Sequence, residues 1–178
     1  MRKIALAILF CAVAWPAFAA SGADVPVPHF GQPADPARIK AWSISILPDG
    51  TNLPPGKGSV AEGLAIYSQK CVMCHGVNGA GKPADQLTGG IGTIGTKAPV
   101  KTVASYWPHA TTLFDYIRRA MPVNAPRTLN DHEVYSLVAY ILSVDGIVKK
   151  DAVLDAKSLP KIQMPNRDGF IDESSITH

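Results

Sequence analysis

The chain has 178 residues, 47% of them hydrophobic and 17% charged, with a formal charge of +3 at pH 7. That length suits one domain with extensions, or two small ones. The charge is far too small for a nucleic-acid-binding surface.

The first nineteen residues read as a secretory signal peptide. Arg2 and Lys3 form a positive start, Ile4 to Pro16 an apolar run, and Ala17-Phe18-Ala19 a small-x-small cleavage site. No later stretch approaches the ~18 uninterrupted apolar residues of a membrane span. The expectation is a protein cleaved near Ala19 and exported to the periplasm. Cys11 leaves with the signal, so Cys71 and Cys74 are the cysteines that remain. Losing Arg2 and Lys3 with no acid takes the formal charge from +3 to +1.

Residues 20–58 form a proline-rich N-terminal arm, with seven prolines between Pro26 and Pro55. Pro48-Asp49-Gly50 and Pro54-Pro55-Gly56 are turn signals. Asp35-Pro36 marks a short helix start, with proline at the first helical position. Ile44 and Ile46 alternate with Ser43 and Ser45, which predicts a short half-exposed strand. Trp42 is the expected anchor of this arm.

A domain is predicted over 59–145. Its first helix starts at Ser59, with Glu62 completing a capping box. Gly63 costs about 1 kcal/mol in a helix interior relative to alanine, a cost that a closely crossing helix would explain. From Gly76 to Gly95 the chain is glycine-rich, as irregular backbone beside something flat and bulky would be. A second helix is expected from Thr112 to Ala120, capped by Thr111 or Thr112, with Leu113, Phe114, Ile117 and Ala120 as its buried face. Met121-Pro122 ends it. The third helix starts at the Asn130 cap, has Glu133 at the capping-box position and stops before Gly146. Its stripe is Val134, Leu137, Val138, Ile141 and Leu142. Residues 146–178 form a polar C-terminal extension.

Cys71-Val72-Met73-Cys74-His75 carries the chemistry. Two cysteines three apart, followed directly by histidine, read as a covalent c-type haem site. Each thiol adds to a vinyl group, and His75 reaches the iron as proximal ligand. Zinc would need a second ligand pair. A thiol oxidoreductase would place such a motif at a helix start within a βαβ pattern, which is not visible here. One covalent haem c is therefore expected, held by Cys71, Cys74 and His75.

For the opposite side of the iron, Met73 is held between the two anchors and cannot reach. Met121, which hangs from a loop between two helices, is the leading candidate. Met164, His109, His132, another histidine and an open position remain alternatives. A thioether raises the reduction potential relative to a second imidazole; six-coordinate iron suits electron transfer, and an open position would permit catalysis. Lys101, Tyr106, Trp107, His109 and Arg118 lie between the motif and Met121. Their donors suit haem propionates, or else form an aromatic cluster with solvated charges.

In this order, the Ser59 helix, Cys71-to-Gly76, Met121-Pro122 and the Asn130 helix resemble the class I c-type cytochromes. The resemblance implies an all-α class I cytochrome c fold around one covalent haem, with irregular N- and C-terminal extensions. It also implies that the first and last helices cross near Gly63 and Tyr140, and that His75 and Met121 are the axial ligands. The family usually has Pro-x-Leu-x-Gly, whose proline carbonyl accepts the proximal imidazole N–H. Asp85-Gln86-Leu87-Thr88-Gly89 stands there in this chain, and an acceptor of some kind is expected.

A narrower resemblance rests on Pro48-Asp49-Gly50 with Leu53-Pro54-Pro55-Gly56, Lys101-to-Pro108, Phe114-to-Pro122, and Leu159-Pro160-Lys161 with Met164-to-Asp168. These runs are similar to the cytochrome subunit of bacterial sulfite dehydrogenases and of the sulfane dehydrogenases of the Sox sulfur-oxidising system. That resemblance implies a non-catalytic haem subunit that takes electrons from a molybdenum-cofactor subunit and passes them to a downstream cytochrome c or oxidase. A general shuttle for another dehydrogenase, or a haem enzyme with a labile sixth ligand, are the alternatives.

Overall fold

A computed structural model describes residues 30–171 and 173–175. The expected signal peptide and its cleavage site lie outside the described residues. Contacts divide the chain into Met1–Asp35 and Pro36–His178. Of the first unit, residues 30–35 are described, as exposed irregular backbone.

Helix α1, Pro36–Trp42, begins at the expected proline, but none of its residues is buried. Trp42 is 79% exposed and anchors nothing. Ile46 takes that role and is buried. The strand expected at Ile44 to Ile46 does not form. The alternation survives, with Ile46 in and Ser45 out. A strand also needs a neighbouring ladder, and here the Ile46 N–H donates to the Asp115 carboxylate at 3.1 Å.

The strands that do form are β1, Lys57–Ser59, and β2, Val153–Asp155. They pair antiparallel, Lys57 opposite Asp155 and Ser59 opposite Val153. Nothing in these three-residue stretches signals a strand. Their pairing ties the chain before the first domain helix to the chain after the last.

Helix α2, Val60–Lys70, follows directly. The Ser59 hydroxyl accepts the Glu62 N–H at 3.3 Å, and the Glu62 carboxylate accepts the Ser59 N–H at 2.9 Å. This is the expected capping box. Helices α3, Val72–His75, and α4, Val103–Tyr106, are short turns with no periodicity to reveal them. Helix α5, Ala110–Ala120, starts earlier than expected, with His109 as N-cap and no side-chain cap. Thr111 is buried, and its hydroxyl donates to the Pro48 carbonyl at 3.4 Å. Tertiary packing therefore withdraws the residue expected to cap.

Helix α6, Asp131–Val144, is the centre of the fold and has the expected Asn130–Glu133 capping box. Its stripe is buried as expected, but so are Tyr135, Ser136, Ala139, Tyr140 and Ser143. A helix covered on all sides is a core helix, and the chain's extensions supply the cover. The Tyr135 hydroxyl donates to the Pro54 carbonyl at 2.9 Å. Leu154, Leu159 and Met164, all beyond α6, are buried in the same core.

Helices α2 and α6 cross where the resemblance implies. A Cβ on Gly63 would stand 1.9 Å from the Ser136 carbonyl oxygen and 2.7 Å from the Tyr140 Cβ. No other residue permits that approach. The Tyr67 and Tyr140 rings meet beside it, centroids 5.0 Å apart.

Candidate cofactor site

The α2–α6 crossing fixes the end of α2, and α2 delivers the motif. Cys71 caps α2, and α3 adds a single turn in which the Cys74 and His75 N–H groups both donate to the Cys71 carbonyl, at 3.1 and 3.0 Å. Cys71 and Cys74 thus sit one turn apart as free thiols. Met73 is 86% exposed, pointing away from the core between the two anchors.

His75 is oriented from the loop that follows. Its Nδ1 lies 3.0 Å from the Asp85 carbonyl oxygen. A carbonyl only accepts, so Nδ1 carries the proton and the lone pair is left on Nε2. Asp85 occupies the place of the usual proline, and its backbone carbonyl does the same work. The sequence called for an acceptor without naming it, because the usual proline is absent; the structure supplies it from the Asp85 backbone, and a carbonyl needs no particular side chain.

The glycine-rich loop is densely bonded. The Gly81 N–H donates to the His75 carbonyl at 2.7 Å and the Ala84 N–H to the Cys74 carbonyl at 2.8 Å. Gly76, at φ +71°, passes so close to Gly81 that a Cβ would stand 2.5 Å from its carbonyl oxygen. Core side chains hold the loop from outside. The Tyr67 hydroxyl donates to the Gly76 carbonyl at 2.9 Å, and the Tyr140 hydroxyl to Asn78 Oδ1 at 3.0 Å. The Asp145 carboxylate accepts the Gly89 N–H at 2.8 and 2.9 Å. Burial pushes the Tyr67 hydroxyl up to about 12, which keeps it a donor. Sequence reasoning missed these three clamps, since each joins residues from separate elements.

Met121 lies elsewhere, as the C-cap of α5 in extended conformation, partly buried against the core. Met164 is 3% exposed and packed in the core cluster. His132 is engaged by the Lys57 carbonyl at Nδ1 and by Glu62, 3.4 Å from Nε2. Arg118 is paired through Nε with the Asp131 carboxylate at 3.1 Å. The Trp107 and Tyr116 rings meet edge-on at 5.6 Å, and Lys101 sits 5.1 Å over Tyr106.

The chemistry of this donor set fits covalent haem and little else. Burial pushes the Cys71 thiol up to about 11, whereas a redox-active Cys-x-x-Cys needs a depressed thiol. Among the described residues no group of three or more histidine, cysteine or carboxylate side chains could hold a metal ion. Two thiols one turn apart, beside an imidazole whose proton is fixed on the far nitrogen, match thioether attachment with axial ligation.

The family model for cytochrome c matches residues 60–145. The chain is also similar, at 39% identity, to a chain in the crystal structure of the sulfane dehydrogenase SoxCD from Paracoccus pantotrophus. That match covers 80% of this chain and 71% of the other, with a TM-score of 0.75. The chain belongs to the cytochrome c family. No match was found among curated proteins. As a class I cytochrome c it is an electron-transfer domain of the kind that carries covalent haem c. Among the described residues no helix is long and apolar enough to cross a membrane.

Proposed function

We propose that this cytochrome is the periplasmic monohaem subunit or shuttle of a molybdenum-dependent sulfite- or sulfane-oxidising dehydrogenase. In this reading it takes electrons from the molybdenum-cofactor subunit and hands them to a downstream cytochrome c or oxidase, without catalytic residues of its own. The observation that carries the reading is the reach of the SoxCD match. At 80% of the chain, it extends well past residues 60–145, and a general cytochrome c domain would not share those flanks.

Bound haem c supplies a one-electron ferric–ferrous couple. Cys71 and Cys74 would anchor it and His75 Nε2 would ligate the iron, while the Asp85 carbonyl holds the imidazole's orientation and raises its basicity. Met121 would be the sixth ligand, and its thioether would favour the ferrous state. Met73 and Val77 are exposed, so the attachment turn leaves one flank open for a small, transient redox contact.

Mixing the ferric protein with the purified molybdenum subunit and sulfite or a sulfane substrate tests the pairing. Haem reduction within seconds supports it, and haem that stays ferric overturns it. Met121→Ala tests the ligand: loss of the near-infrared thioether-to-iron band is expected, together with carbon monoxide binding in the ferrous state. Survival of the band would remove Met121 from the site.

A further inference from the structure

His109 Nδ1 is the only buried side-chain nitrogen or oxygen without a hydrogen-bond partner among the described residues. Such an atom costs roughly 1–3 kcal/mol unless something satisfies it. Arg167 acts on the same imidazole. Burial, and then the Arg167 charge, hold the His109 pKa below the ordinary histidine range. Neither Arg167 nor nearby Lys101 has a carboxylate partner among the described residues.

The segment bearing Arg167 is firmly seated. Met164 is buried in the core, and the Asn166 side-chain amide donates to the Tyr106 carbonyl at 2.7 Å. Phe170 meets the Tyr106 ring edge-on at 5.2 Å. Pro165 and Asn166 also line a cavity of about 230 Å³, opposite Ile91 and Ile94 of the glycine-rich loop. A buried, unpartnered imidazole nitrogen and a guanidinium with no carboxylate partner among the described residues thus lie beside an aromatic cluster. The haem of the proposed function brings two carboxylates.

We propose that His109 and Arg167 together receive a haem carboxylate, so that the C-terminal run 164–170, outside the matched domain, forms part of the cofactor site. Arg167 neutralises the carboxylate through a charge-assisted hydrogen bond, and His109 satisfies its own orphaned nitrogen on the same group. These are positioning residues that tune the iron's potential.

The inference rests on haem attachment and is tested on the holoprotein, as Arg167→Gln, Arg167→Lys and His109→Gln. Arg167→Gln leaves a negative charge uncompensated near the iron, so its midpoint potential falls and the propionate bending band in the resonance Raman spectrum shifts. Arg167→Lys restores most of the potential. His109→Gln shifts the same Raman band. An unmoved band in both Gln variants overturns the inference while the haem reading stands. A wild-type potential that responds to added sulfate or phosphate at constant ionic strength, with the response lost in Arg167→Gln, points to a free-anion site and also overturns it. Absence of a haem c spectrum in the wild-type protein overturns both.

Discussion

The two sides of the proposed iron site are built differently. The attachment side, residues 71–90, is clamped from two helices outside it, by Tyr67 of α2 and by Tyr140 and the C-cap Asp145 of α6. The Met121–Leu129 loop relies on local bonds, such as the Ala125 N–H to the Pro122 carbonyl at 2.9 Å and the Thr128 hydroxyl to the Ala125 carbonyl at 2.8 Å. A segment held by local bonds opens at lower free energy than one tied to the core. The histidine side is therefore the fixed reference of the site, and the methionine side is where ligand exchange or partner-induced motion belongs.

The sharpest way to break this contrast is at the helix crossing that supports the fixed side. Gly63→Ala places a methyl against the Ser136 carbonyl, so α2 and α6 must separate. A loss of about 3 kcal/mol or more is expected, at the upper end for overpacking, read from denaturant unfolding of the holoprotein. A shift below about 0.5 kcal/mol would show that the crossing opens freely.

Asp145→Ala removes one clamp and leaves the Gly89 N–H without its charged acceptor. The expected cost is about 2 kcal/mol, with faster amide exchange at Gly89. Unchanged exchange there would mean that the loop is held by other bonds.

Glu133 gives a pH-dependent version of the same test. Burial raises its pKa, but the Lys70 and Asn130 hydrogen bonds outweigh that and leave the net pKa lowered. A lowered folded-state value contributes stability above the unfolded glutamate pKa of about 4.3, and that contribution is lost as pH falls through the folded value. Glu133→Gln is expected to cost about 1 kcal/mol at pH 7 and to flatten the acid limb of the stability profile below about pH 4. An acid limb identical to wild type would remove Glu133 from that role.

The smallest effect belongs to the methionine side. Thr128→Ala is expected to change global stability by no more than about 0.5 kcal/mol, while speeding exchange of the iron's sixth ligand for added imidazole. A loss as large as that of Asp145→Ala would show that both sides are equally bound into the core.

Much of this was legible in the chain itself. The capping boxes at Ser59–Glu62 and Asn130–Glu133 are local hydrogen-bond patterns, readable at a spacing of three. Cys71-x-x-Cys74-His75 is likewise local, because one helical turn sets all its geometry. Gly63 carried a cost that a close crossing would explain, and the family resemblance placed the crossing there. What failed was whatever depended on a distant partner. Ile44 to Ile46 had a strand's alternation but met the Asp115 carboxylate instead of a neighbouring strand. Thr111 had a cap's chemistry but was drawn into the core against Pro48. Trp42 had an anchor's size and remained in solvent.

The sequence by itself determined the attachment turn, the three main helices and the family, because each rests on contacts spanning a few residues. Only the tertiary structure decided how α6 is buried on every side by the extensions. It also decided that a backbone carbonyl at Asp85 suffices to orient His75, and that Arg167 comes to lie beside His109. Those outcomes join residues ten to eighty apart, and packing, not spacing, chooses among the possible partners.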